Sequence, residues 1–139
     1  VGMLLAGRRA NFSIDLGDPA PGFLYGTKTG LQGPIKQRVL ETFSRCLTLV
    51  EALLAQPEYP KSLEPLWGSW QLIINDRLNA PNTDNTDAVL RADIESALDF
   101  LFGPGAYKAE RERDLKRRYG LSVESNQVVT LEDLRKKLH

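Results

Sequence analysis

Apolar residues recur every three or four positions through the middle of the chain, which is the pattern of amphipathic helices. The clearest run starts after Gly33-Pro34, where a proline suits the first helical turn, and stops at Pro57. Its apolar residues form one stripe, made of Ile35, Val39, Phe43, Cys46, Val50 and Leu53. The spacing predicts a long first helix that turns this stripe towards the core.

Two further helices are predicted before residue 103. Ser62 is the expected N-cap of the second, whose wide apolar face comprises Leu63, Leu66, Trp67, Trp70, Ile73, Ile74 and Leu78. The polar run 82–87 supplies N-cap candidates for the third, whose apolar positions are Val89 or Leu90, Ile94, Leu98, Leu101 and Phe102. Gly103-Pro104-Gly105 ends this third helix.

The C-terminal part predicts two shorter helices. Residues 106–119 favour a helix that is poor in apolar positions, with Gly120 after its end. Residues 121–129 are expected to be irregular or a short strand, with Val128-Val129 as the β-favouring pair. Thr130 then caps a last helix, with acidic residues in its first turn and lysines in its last.

The first 33 residues are rich in glycine and proline and allow two interpretations. Phe12, Ile14 and Leu16 alternate with polar residues, which predicts a short strand, and residues 22–26 could pair with it as a hairpin. The alternative is an extended arm that packs against a partner or a second copy of the chain.

Together these elements predict a mainly α fold: a small bundle of three main helices plus two shorter C-terminal helices, with an irregular or β-hairpin N-terminal arm. The arm covers residues 1–33 and the helical domain residues 34–139, and the whole forms a single domain. A chain of 139 residues is long enough to bury a core without the support of disulfides or a structural metal.

Composition narrows the classes of function. Lys plus Arg and Asp plus Glu both number 18, and this balance argues against a protein that binds the phosphate backbone of nucleic acid. The single cysteine, Cys46, and the single histidine, at the last position, leave too few residues for a zinc site or a Ser-His-Asp device. No apolar run approaches the roughly 20 residues of a membrane span. We therefore expect no catalytic, cofactor-binding or metal-binding residues, no membrane partner, and a cytoplasmic, intracellular location.

Two weaker motifs do not change this expectation. The loop Gly26–Gly33 precedes a helix but has the wrong order for a phosphate-binding P-loop, so a flexible connector is the plainer interpretation. Residues 82–93 have calcium-loop spacing, but Asp87 stands where such loops need glycine, so helix capping explains them better. The acidic residues of the third helix are interpreted as its solvent face rather than as paired catalytic carboxylates.

The first functional hypothesis is a non-enzymatic protein–protein interaction or self-assembly domain, whose partner is another protein or a second copy. The residues expected at the interface are aromatic: Trp67, Trp70, Tyr59, Phe23 and Tyr25. Aromatic residues at helical spacing also build cores, and this alternative stays open for the two tryptophans.

The second hypothesis is a nucleic-acid-associated protein that uses a basic helix at 108–118. Its contact residues would be Lys108, Arg111, Lys116, Arg117 and Arg118. Acidic residues are interleaved with these, so a solvent-exposed helix with i,i+4 ion pairs is the plainer interpretation. A carboxylate-type enzyme is a third hypothesis, and it requires a shielded pocket.

Overall fold

The computed structural model describes residues 4–6, 10–15, 22–27, 33–58, 66–74, 78 and 80–138, with side chains from residue 33 onwards. The chain divides into two compact units, Val1–Pro65 and Leu66–Lys137. The separation of an arm over residues 1–33 from a domain over residues 34–139 stays a prediction.

The first unit contains a three-stranded antiparallel sheet. Its strands β1 (Leu4–Ala6), β2 (Ala10–Asp15) and β3 (Gly22–Thr27) are neighbours in chain order. In the β2–β3 pair, Phe12 lies opposite Tyr25. Of the two interpretations of the first 33 residues, the structure therefore shows the hairpin, and it adds β1 as a third strand.

Helix α1 (Ile35–Leu54) follows and confirms the first predicted helix. Pro34 stands just before it, and its carbonyl accepts a hydrogen bond from the Arg38 N–H at 3.0 Å. The predicted apolar stripe is buried at Val39, Phe43, Cys46 and Val50, and Leu47 is buried as well. Burial raises the pKa of the Cys46 thiol to about 12, so the thiol stays protonated at neutral pH.

The second unit packs two helices with a second antiparallel sheet. Its elements are β4 (Ser69–Ile73), α2 (Asp84–Phe102), β5 (Tyr107–Arg111), β6 (Gly120–Ser125) and α3 (Leu131–Leu138), and the strand order is β4-β6-β5. The buried apolar residues of this unit come from α2, from the β6 region and from α3: Ile94, Ala97, Leu98, Leu101, Tyr119, Leu121, Val123 and Leu134. Sheet and helices therefore both contribute to its core.

The predicted mainly α bundle is wrong, because the structure is a mixture of helices and antiparallel sheet. The predicted second helix contains β4 instead. Along β4 exposed and half-buried residues alternate, and Trp70 and Leu72 lie on one face opposite the buried residues Val123 and Leu121. A short apolar run that is rich in Trp and Ile fits a strand as readily as a helix, and pairing with β6 decides between them.

The predicted helix over residues 106–119 is also wrong. This segment forms β5 and a loop that leads into β6, and Val128-Val129 lies after β6 rather than within it. Helix-favouring Lys, Glu and Arg dominate its composition, but tertiary packing overrides propensity here. Arg111 occupies an inward position on β5, opposite the buried Leu121, and this hides the alternation that marks a strand.

The third and last predicted helices are confirmed as α2 and α3. Thr83 caps α2, since its hydroxyl accepts a hydrogen bond from the Thr86 N–H at 3.2 Å. At α3, the Thr130 hydroxyl accepts from the Asp133 N–H and the Asp133 carboxylate accepts from the Thr130 N–H. Within the described residues, no helix combines the length and apolar character needed to cross a membrane.

Candidate functional site

Strand β4 begins in a tight turn that places the two tryptophans. The Ser69 N–H donates to the Leu66 carbonyl at 3.1 Å, and the Trp70 indole N–H donates to the Trp67 carbonyl at 2.6 Å. A Cβ atom on Gly68 would lie 3.1 Å from the Cβ atom of Ser125, so glycine permits the close approach of β4 to β6. The turn thus fixes the register in which β4 joins the sheet.

The outer edge of β4 carries backbone groups that point away from the sheet. In an antiparallel pair, residues that are hydrogen-bonded to the partner strand alternate with residues whose N–H and C=O groups face outwards. The Ser125 N–H donates to the Gly68 carbonyl at 2.8 Å, and the Ile74 N–H donates to the Tyr119 carbonyl at 2.9 Å. The outward positions of β4 are therefore 69, 71 and 73.

Gln71 and Ile73 present both of their backbone groups on this edge. The Ser69 N–H is already donated to Leu66, whereas the outward N–H and C=O groups of Gln71 and Ile73 have no hydrogen-bond partner among the described residues. The strand has the sequence Ser-Trp-Gln-Leu-Ile and contains no charged residue. The edge therefore has none of the charges with which natural sheets discourage strand addition.

The opposite edge of the sheet is protected. By the same alternation, the backbone N–H and C=O groups of Tyr107, Ala109 and Arg111 face away from β6, because the Glu112 N–H donates to the Gly120 carbonyl at 2.9 Å. The Arg91 guanidinium donates to the outward Ala109 carbonyl at 2.9 Å. Three of the five residues of β5 are also charged. The two edges of one small sheet thus differ in their capacity to accept another strand.

The two faces of β4 differ in polarity. Trp70 and Leu72 lie half-buried on the inner face, next to the buried residues of β6. On the outer face Ile73 is 41% exposed, and Gln71 lies opposite Ser122. A strand added at this edge would therefore meet a partly covered apolar face on one side and a mixed face of Ser69, Gln71 and Ile73 on the other.

A groove of about 250 Å³ adjoins the outer face of β4. It is lined by Gln71, Ile73, Glu112, Arg117, Arg118, Gly120, Leu121 and Ser122. The Arg117 guanidinium lies 3.5 Å from the Glu112 carboxylate and 3.7 Å from the Asp114 carboxylate. The groove therefore joins the outer edge of β4 to the loop over residues 112–119, where acidic groups lie beside Arg117.

The structure disperses the five basic residues of the second hypothesis. Lys108 lies on the exposed face of β5, and Lys116 is exposed in the following loop. Arg111 is held inwards, where it donates to the Asn82 amide oxygen at 2.8 Å and the Asp84 carboxylate at 2.6 Å. Of the five, Arg117 and Arg118 both line the groove. Residues 112–119 are not helical, so the solvent-exposed helix expected for this segment does not form.

The aromatic residues of the first hypothesis fall into two groups. Trp67 and Trp70 are half-buried at the start of β4. Phe23 and Tyr25 belong to β3, whose backbone alone is described, and Tyr59 lies outside the described residues. Sequence reasoning missed Gln71 and Ile73, although the alternation of Ser69, Gln71 and Ile73 with Trp70 and Leu72 was present to indicate a strand.

Polar residues on α2 fasten the helix to the sheet. The Tyr119 hydroxyl donates to the Asp87 carboxylate at 2.7 Å, and the Tyr107 hydroxyl donates to the Asp99 carboxylate at 2.7 Å. Burial by itself raises the pKa of Asp87, but hydrogen bonds from Tyr119 and Arg91 outweigh it and hold that pKa below its usual value. Burial is the main cause that raises the pKa of Tyr119, and the hydrogen bond to Asp87 raises it further. These two carboxylates thus position the sheet instead of facing solvent as expected.

Among the described side chains, no three His, Cys, Asp or Glu residues converge as metal ligands would. Comparison of the chain with protein-family models, curated proteins and solved structures gave no match.

Proposed function

We propose that the chain is a non-enzymatic protein–protein interaction or self-assembly domain that accepts an extended segment along the outer edge of β4. The observation that carries this proposal is the outward direction of the Gln71 and Ile73 backbone groups on an uncharged strand. Extended segments add to such edges through main-chain hydrogen bonds, and side chains at alternate positions supply specificity. The interaction function expected from the sequence is thus retained, at a strand edge instead of a helix surface.

The side chains of β4 supply the second part of the binding energy. A net contribution of about 0.5–1.5 kcal/mol per hydrogen bond is small, and a five-residue strand forms few such bonds. Trp70 and Leu72 are half-buried, so an added strand would remove more of their apolar surface from water. Trp70 accordingly keeps its predicted role at the interface. As part of the same proposal the domain acts inside the cell, where its one cysteine needs no partner.

A synthetic peptide tests the capacity of the edge directly. The probe is a capped peptide with the sequence of residues 68–74 of this chain, titrated into the isotope-labelled protein while amide resonances are recorded by NMR. We expect the largest shifts at Gln71 and Ile73, because their N–H groups would gain hydrogen bonds. Gln71→Pro removes one outward donor without removing a bond to β6, so it should weaken peptide binding by about tenfold or more.

Matched controls identify the edge. Ala109→Pro makes the same change at an outward position of β5 and should leave peptide binding unaltered. Far-UV circular dichroism verifies that both variants retain the fold. Peptide shifts that are centred on β5, or equal binding by the Gln71→Pro variant and the unmodified chain, would refute the proposal.

The groove favours a second candidate function, which is contact with nucleic-acid phosphates. Arg117 and Arg118 both line it, as does Gln71. We expect such binding to weaken steeply with salt and to disappear when both arginines are replaced by glutamate. Fluorescence anisotropy with a labelled oligonucleotide at low and high salt checks this, and binding that is insensitive to salt or to the substitutions would exclude it.

A further inference from the structure

We infer that the segment accepted by β4 is the β4 strand of a second copy of this chain, paired antiparallel about a two-fold axis at Gln71. This inference rests on the proposed function of the β4 edge. Antiparallel pairing of Ser69–Ile73 with itself places Gln71 opposite Gln71 of the second copy and Ser69 opposite Ile73. Because 69, 71 and 73 are the outward positions, this register brings outward groups to face outward groups.

The hydrogen bonds of this pairing follow from the backbone N–H and C=O groups of β4 that face outwards. The two Gln71 residues would exchange two backbone bonds across the axis. Each Ser69–Ile73 pair would add one more, from the Ile73 N–H to the Ser69 carbonyl, because the Ser69 N–H is already donated to Leu66. Every outward N–H that is open on this strand would therefore find an acceptor.

The side chains of β4 are complementary to themselves. On the inner face, Trp70 would lie beside Leu72 of the second copy, so two half-buried apolar residues would cover each other. On the outer face, the two Gln71 amides would meet at the axis, and each amide can both donate and accept. The strand has no charge that would select an oppositely charged foreign segment, and no like charges would meet in the self-pairing.

The protected edge of the sheet explains why such an assembly would stop at two copies. Pairing would form one continuous six-stranded sheet with a β5 strand at each end. On that strand the Arg91 guanidinium already donates to the outward Ala109 carbonyl, and charged residues flank Ala109 on both sides. Growth into a filament is thereby disfavoured. Because the paired strands are short, we expect a dimer that dissociates on dilution.

Charge reversal at the axis tests the pairing. Gln71→Lys places two lysines directly opposite each other, and Gln71→Glu does the same with glutamates, so each variant should raise the dimer dissociation constant several-fold. An equimolar mixture of the two variants places Lys opposite Glu and should restore association. Sedimentation equilibrium over a range of concentrations measures all three samples. Glu110→Lys puts a lysine on the same face of the sheet, on β5 and one strand further from the axis than Ser122, and is the matched control, which should dimerise as the unmodified chain does.

Cysteine cross-linking provides a measurement that does not depend on charge. Hydrogen-bonded antiparallel residues have Cα atoms about 5.5 Å apart, within the range of a disulfide. Oxidation by diamide should therefore cross-link the Gln71→Cys variant covalently and leave the Ser122→Cys variant without a cross-link. Cys46 is buried and protonated and should not contribute.

The outcomes separate the inference from the function on which it rests. Mutual rescue by the two charge variants, together with cross-linking at position 71, supports the two-fold pairing. An unmodified chain that stays monomeric at every concentration but still binds the residue 68–74 peptide would overturn the second copy and retain the edge function. A dimer that neither charge variant weakens, or a mixture without rescue, would place the interface elsewhere and overturn the inference. An unmodified chain that neither dimerises nor binds the residue 68–74 peptide would reject the edge function as well.

Discussion

Gly120 sits where β6 lies close against the backbone of β4. A Cβ atom at this position would lie 2.7 Å from the Leu72 carbonyl oxygen, a distance that requires the backbone to shift. Its φ angle is not the reason for the glycine, since the positive φ values of described residues occur at other glycines. The close approach of two strands therefore selects glycine here.

We predict that Gly120→Ala destabilises the fold by about 1–3 kcal/mol, because an added methyl group has to displace main chain in a packed sheet. Urea unfolding followed by circular dichroism measures the free energy of unfolding. Ser122 lies two residues further along the same strand on its exposed face, and Ser122→Ala should change the free energy of unfolding far less. Equal free energies for Gly120→Ala and the unmodified chain would show that β4 does not approach β6 this closely.

The Tyr119–Asp87 hydrogen bond is the residue-scale link between α2 and the sheet. We predict that Tyr119→Phe lowers the free energy of unfolding by about 1–2 kcal/mol at neutral pH, because Asp87 loses a donor to its carboxylate. The pKa of Asp87 should rise, since the hydroxyl is one of the groups that hold it down. A carboxyl-detected NMR titration measures that pKa directly.

The pH dependence of stability follows from the sign of this shift. An Asp whose folded-state pKa lies below its unfolded value of about 3.9 contributes stability above that pH, and this contribution is lost as the pH falls through the folded-state pKa. In the Tyr119→Phe variant this acid-dependent loss should be smaller. Tyr107→Phe removes a comparable hydroxyl that is bound to Asp99, so it should leave the Asp87 pKa unchanged. An unchanged Asp87 pKa in the Tyr119→Phe variant would contradict the assignment.

At the scale of elements, the start of α2 is fixed by Thr83. We predict that Thr83→Ala lowers the free energy of unfolding by about 0.5–2 kcal/mol, because the Thr86 N–H loses its acceptor. Thermal unfolding compares this variant with Asn85→Ala, which alters an exposed residue of the first turn and should have a small effect. Two variants of equal stability would mean that another group caps the helix.

The elements that the sequence predicts correctly are those with long, unambiguous periodicity. Helices α1 and α2 each extend over about five turns, and their apolar positions repeat often enough to define one face. The last helix is short, but its capping residues indicate where it begins. Local information is sufficient in these three cases.

The strands of the second unit could not be predicted because their identity depends on partners distant in sequence. Trp70 and Leu72 become a strand face through Val123 and Leu121, some 50 residues away. In β5, Arg111 occupies an inward position that usually holds an apolar residue, and its bonds to Asn82 and Asp84 make this possible. The same dependence hides the candidate site, because the outward direction of Gln71 follows only from its register with β6.

At the scale of the whole molecule, the balanced charge and the uneven sheet edges support the same account. Opposite charges equal in number leave the chain as a whole without a net positive charge to attract nucleic acid. Within the described part of the second unit, the charged strand and Arg91 lie at one edge of the sheet, and the uncharged strand lies at the other. This asymmetry is a property of the folded sheet and is not visible in the composition.

Amide hydrogen exchange at the two edges of this sheet is the most direct measurement of the central claim. At high dilution we predict rapid exchange at Gln71 and Ile73 and slow exchange at Trp70 and Leu72, whose N–H groups face β6. Raising the chain concentration should protect Gln71 and Ile73 while leaving the outward amides of β5 unchanged. Slow exchange at Gln71 and Ile73 even at high dilution, or rapid exchange at every concentration and with the residue 68–74 peptide in excess, would contradict an edge that accepts a strand.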